Sequence, residues 1–172
     1  NYFGKLFALA LFPVFQFVIL AIFAVFPRID PLGGNIREFR DAYNWLVLTV
    51  VGFLGYIHGV LLLWNIGYQF AVVQAVIPAV AFLYYIIGVV MEHAEQNWFV
   101  GIQTPWTLSN EQVWKDTHAL GGTLFKITAV FTLGGLVFPQ YAVAFIAAPA
   151  VLAAIITTVY SYWDYRQVTR GA

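Results

Sequence analysis

A chain of 172 residues would ordinarily make one soluble domain, but 62% hydrophobic, 19% aromatic and 9% charged residues describe something else. Globular chains average about 45–50% apolar and about 25% charged, so the composition is that of a membrane protein, read here as a single membrane domain over residues 1–172. Eight acids against eight Lys plus Arg give no net field for direct nucleic-acid binding, and the lack of cysteine excludes a disulfide framework and thiolate metal sites.

Crossing the hydrocarbon core takes about 20 apolar residues, and five segments meet that need: residues 6–26, 45–64, 70–91, 120–138 and 141–160. The predicted fold class is therefore all-α, a polytopic transmembrane helical bundle. The first span carries no charge and is expected to close at Pro27. The second presents Gly52, Gly55 and Gly59, the last two in G-x-x-x-G spacing, which predicts close backbone packing, chiefly within the chain. It also holds His58, expected to be hydrogen-bonded in the bundle. "NIGYQ" and "FPQY" are short enough to force antiparallel hairpins between spans two and three and between four and five. Pro13, Pro78 and Pro149 fall inside spans and predict kinks.

Charge placement predicts orientation. Arg28, Arg37, Arg40, Lys115, Arg166 and Arg170 fall on one side of a five-span layout, and Lys126 can snorkel to it, whereas Lys5 stands alone opposite. The basic side is expected to be cytoplasmic, with the beginning of this chain outside and its end inside. "NYFGK" is neither a signal peptide nor a convincing cap. An outside start without a leader predicts a fragment or processed form with one earlier helix, six spans in all.

Residues 92–119 form the one polar, strongly marked connection, expected on the cytoplasmic face. Ser109 followed by Gln112 matches a capping box and predicts a helix starting near Asn110, either interfacial or an extension of the fourth span. Pro105 holds Thr104 extended, Gly101 suits a turn, and Trp98, Trp106 and Trp114 suit a membrane boundary. Asn97, Gln103, Thr104, Thr107, Ser109 and Thr117 add a density of hydrogen-bonding groups that a plain connector does not need. The segment is expected to hold one shape, as a folded cap or as a docking surface.

Chemical motifs are absent: no G-x-S-x-G, Walker, H-E-x-x-H or Rossmann pattern occurs. His58 has no second histidine at its depth for haem, and "MEHAEQ" with Asp116 and His118 matches no metal-ligand spacing. The expectation is a non-enzymatic protein with no cofactor and no metal.

The stretch "NWFVGIQTPWTLSNEQVWKDTHALGG" resembles the motif of the SdpI family of bacterial and archaeal membrane proteins, which reads approximately N-W-F-x-G-I-R-T-P-W-T-L-S-x-x-x-V-W-x-x-T-H-x-x-G-G. "FPRIDPLGGNI" and "VYSYWDY" resemble the family's earlier loop and its C-terminal end, and Gln103 departs from it by replacing an arginine. The resemblance implies a location in a bacterial or archaeal cell membrane and an immunity or signalling role, in which a secreted toxic peptide is met on the outer face. It also implies a soluble transcriptional regulator on the cytoplasmic face, docked on Asn97, Trp98, Gly101, Gln103, Thr104, Pro105, Trp106, Ser109, Trp114, Thr117 and His118. From the residues alone two alternatives stand beside it: an accessory subunit of a larger membrane complex, and a lipid- or amphiphile-binding protein.

Overall fold

The computed structural model describes residues 2–170, with side chains from residue 9 onward. Lys5 and the rest of "NYFGK" therefore lie outside the described side chains. Regular structure is helical throughout the described residues: α1 (Tyr2–Ile29), α2 (Gly33–Glu38), α3 (Arg40–Asn65), α4 (Val72–His93), α5 (Pro105–Ser109), α6 (Glu111–Thr132), α7 (Gly134–Val137), a 3-10 turn (Pro139–Tyr141) and α8 (Ala142–Arg170). Five stretches are long and apolar enough to cross a membrane: residues 9–29, 40–65, 72–93, 111–137 and 139–170. The protein is a multi-pass membrane protein.

Helix α6 is the centre of the bundle, flanked by α4 and α8. Its neighbours come close because glycine leaves no side chain between backbones. A methyl group added at Gly88 would lie 2.7 Å from the Gly122 carbonyl oxygen, and one at Gly121 would meet Ile102 and the Met91 sulfur. On the second span, a methyl added at Gly55 would lie 2.9 Å from the Gln16 side chain of α1, while among the described residues nothing lies within 4 Å of one added at Gly52 or Gly59. Among the spans helix α1 packs chiefly on α3, and it buries none of its most apolar window.

The expected end of the first span is corrected. Helix α1 passes Pro27 and ends at Ile29. Proline removes the N–H that would bond the carbonyl four residues back, and here the Tyr43 hydroxyl donates to that Phe23 carbonyl at 2.5 Å. The fourth long helix begins at Glu111, so of the two alternatives for the helix near Asn110 it is the extension of the fourth span that forms, as one rod through Gly121 and Gly122. Among the described residues His58 Nε2 has no hydrogen-bond partner, and its ring stacks on Phe12 of α1 with centroids 5.4 Å apart. Lys126 does reach along α6 towards the basic end, where its Nζ bonds Glu92 of α4 at 2.5 Å.

The main hydrophobic cluster lies at the basic end of the bundle. Ile36, Phe39, Tyr43, Leu46, Val90, Ala94, Val100 and Trp114 join α2, α3, α4, the connection after α4, and α6. Helix α8, with 29 residues at about 1.5 Å each, is about 43 Å long against a hydrocarbon core of about 30 Å. Its last turns therefore stand beyond the core, beside that cluster.

Candidate functional site: a folded cap at the basic end

Residues 94–118 fold into a cap whose polar side chains are consumed by backbone. Asn97 is fully buried; its Nδ2 donates to the Glu95 and Val100 carbonyls, and its Oδ1 accepts from the Phe99 and Val100 amides at 2.9 and 2.7 Å. One amide side chain thus closes a whole turn. The next residue, Gly101, has φ +124°, and a methyl group there would collide with His118 Nε2 and approach Trp114 at 3.2 Å. Glycine is required for both the backbone angle and the space.

His118 is the bolt under that turn. Its Nε2 accepts from the Ile102 amide at 2.9 Å and its Nδ1 donates to the Trp114 carbonyl at 2.8 Å, which defines the neutral tautomer. Trp114 stacks on the imidazole with centroids 3.9 Å apart and donates from Nε1 to the Ala94 carbonyl at 2.7 Å, satisfying the end of α4. With both ring nitrogens engaged, His118 has none to offer a metal, and His93 uses Nδ1 on the Val89 carbonyl. Among the described residues no group of three or more His, Asp or Glu side chains is placed to hold a metal ion.

A helix does start beside Asn110, but its cap lies one residue beyond Ser109 and the capping box belongs to the preceding helix. Thr104 caps α5: its Oγ1 accepts from the Thr107 amide while Thr107 Oγ1 accepts from the Thr104 amide at 2.9 Å, and Thr107 also donates to the Ile102 carbonyl. Pro105 occupies the first helical position, where a missing N–H costs nothing. The cap of α6 is Asn110, accepting from Val113 at 3.1 Å, while Ser109 bonds back to Trp106 and Gln112 donates to Asp116. Ser109 cannot cap α6 because it is still the last residue of α5.

Distant stretches clamp the cap in place. Asp30 is buried, its two oxygens accepting from the Leu32 amide at 2.7 Å and from the Trp98 amide at 2.9 Å. Asn35 donates to the Gln96 carbonyl, and Gln96 donates to the Thr107 carbonyl. Phe26 stacks on Phe99 at 4.3 Å, Thr104 bonds Ser161 at 3.2 Å, and Trp106 packs against Tyr162 at 5.0 Å. Asp30, Asn35 and Ser161 had no assigned role in the sequence. The available signal was that "FPRIDPLGGNI" and "VYSYWDY" shared the resemblance with the central motif: the three stretches are one structure. Two buried oxygens, Thr117 Oγ1 and Asp164 Oδ2, have no partner among the described residues.

The docking set therefore divides. Asn97, Thr104, Trp114, Thr117 and His118 are buried and cannot touch a partner, and Gly101 is held by steric need, which removes Trp114 in particular from any contact surface. Trp98, Gln103, Pro105 and Ser109 are exposed, with Trp106 half-buried. None of these lines the polar cavity of about 660 Å³ that opens among α2, the start of α3, the end of α4 and Lys115, with both signs of charge in its wall.

Five membrane-length helices closed at one end by a hydrogen-bonded cap define a class: a multi-pass helical membrane protein carrying a rigid extramembrane platform. Residues 93–161, which hold most of that cap and the two helices below it, match the model of the SdpI/YfhL protein family. The curated protein named Immunity protein SdpI, from Bacillus subtilis (strain 168), is 30% identical over 109 residues, covering 62% of this chain and 52% of that protein. Together the two matches support membership of the SdpI family. The chain spans about half the length of that relative. No solved structure matches.

Proposed function

We propose that the chain is an immunity-type protein of the cell membrane, with its basic end in the cytoplasm and its cap acting as a platform for a soluble regulator. The carrying observation is the division of labour in the cap: its buried polar groups are spent on shape, leaving Trp98, 51% exposed, with Gln103 and Pro105 on a rigid surface. A large exposed aromatic on a pre-ordered frame is what a binding hot spot requires. The opposite end is the side on which a toxic peptide would be met, and no catalytic step is involved.

Replacing Trp98 and Gln103 by alanine together should abolish recruitment of the regulator to membranes while leaving the cap folded. Recruitment at the wild-type level in a folded double variant sinks the docking role. Protection against the peptide is read separately, as survival of cells expressing the chain. A second reading, an accessory subunit of a larger membrane complex, is favoured by the open face of α3 at Gly52 and Gly59. Gentle extraction yielding one stoichiometric complex supports it, and a free monomer opposes it.

A further inference from the structure

A smaller cavity, of about 300 Å³, lies where α1 ends and α3 begins. Arg28, Arg37 and Arg40 line it together with Asn44, and no carboxylate does. Three like charges lining one cavity with no acid raise its positive potential and favour an anion there. None of the three takes part in an ion pair among the described residues. The acid next to Arg28 in sequence, Asp30, is turned away and spent on the Leu32 and Trp98 amides. Helix α3 also begins here without a side-chain cap, so its positive end adds to the field.

The remaining wall is apolar: Leu20, Phe23 and Ala24 of α1 and Val47 of α3. These belong to the stretches long and apolar enough to cross a membrane, so the wall continues into the hydrocarbon region while the arginines stand at its edge. The larger cavity shares Arg37 and Arg40 but adds Glu38, Asp41, Glu92 and Glu95, which oppose an anion there. Only the smaller one combines an acid-free basic rim with an apolar floor.

We propose that this cavity between the ends of α1 and α3 binds the phosphate of an anionic phospholipid, held by Arg28, Arg37 and Arg40, with an acyl chain against Leu20, Phe23 and Val47. A guanidinium fork matches phosphate geometry and stays charged at every physiological pH. The volume suits a headgroup and leaves the tails in the bilayer. The bound lipid would tie α1, the least buried span, to the rest of the bundle. This assignment does not depend on the role of the cap.

The test titrates the full chain in mild detergent with phosphatidylglycerol or phosphatidylcholine and counts bound lipid by native mass spectrometry. Phosphatidylglycerol should bind more tightly. Affinity for it should fall about fivefold for each arginine changed to glutamine, and on the order of a hundredfold in R28Q/R37Q/R40Q. R166Q/R170Q, which removes two charges from the same end, should change little. Ala24→Trp, which fills the floor without touching charge, should also weaken binding and stands in if the triple variant does not fold. Equal binding of the two lipids overturns the proposal, as does an equal loss per charge in R166Q/R170Q, which would mean a diffuse field. Thermal stabilisation by millimolar inorganic phosphate equal to that by phosphatidylglycerol would reassign the arginines to a soluble anion and overturn the lipid.

Discussion

Trp114 decides whether the cap is a frame or a contact surface. In Trp114→Phe the Nε1 bond to the Ala94 carbonyl is lost, and that oxygen stays buried at the end of α4. A buried carbonyl left without a donor costs about 1–3 kcal/mol. The smaller ring leaves a void of about 40 Å³, which at about 24 cal/mol per Å³ adds about 1 kcal/mol. The sum, about 3 kcal/mol, corresponds to roughly a hundredfold rise in the open population of the cap. The Ile102 amide, bonded to His118 on which Trp114 stacks, reports that opening directly by hydrogen exchange. Trp98→Ala is the control: the ring is 51% exposed and its backbone bond to Asp30 survives, so the cost should stay within about 0.5 kcal/mol and Ile102 exchange within about twofold. Unchanged protection of Ile102 in Trp114→Phe, or equal loss in both variants, would refute the frame.

Asp30→Asn keeps the size of the side chain but leaves one acceptor oxygen for two amides, so it should cost about 1.5–3 kcal/mol and speed exchange at Trp98 before Ile102. Gly88→Ala should lower the thermal midpoint in detergent because its methyl would press on the Gly122 carbonyl, whereas Gly52→Ala, with nothing among the described residues within 4 Å, should leave it unchanged or raise it, since helix preference adds up to about 1 kcal/mol of stability. Equal effects at the two glycines would contradict the packing of α4 on α6. Thr107→Val deprives the Thr104 amide of its acceptor and the Ile102 carbonyl of a donor, and should expose α5 to proteolysis at a cost of about 1–3 kcal/mol.

Hydropathy counts apolar residues, so the existence of five long helices was legible, and their ends were not, because ends are settled by single polar contacts from elsewhere. Pro27 reads as a stop until Tyr43, from the next span, is seen supplying the donor for the Phe23 carbonyl. The box at Ser109 and Gln112 fits the usual pattern, whereas the box that forms uses threonine at both positions and escapes it. Glycine spacing on the second span described one helix face but could not name what lies opposite. The polar density of residues 92–119 did identify a folded unit. Its clamps were out of reach, since Asp30, Asn35 and Ser161 are separated from their partners by 68, 61 and 57 residues.

The same separation bears on how such a cap can vary. Asn97, Thr107, Trp114 and His118 each bond at least one backbone atom, so they can change only by breaking the frame. Gln103 is different: it is exposed, and neither it nor the cap depends on a hydrogen bond from its side chain. An arginine there, as in the resembling motif, would add a charge to the platform while leaving the Thr104 box, the Gly101 turn and the His118 bolt as they are. Position 103 is thus one where the fold permits choice. Gln103→Arg should therefore leave Ile102 exchange unchanged and alter only what binds to the cap.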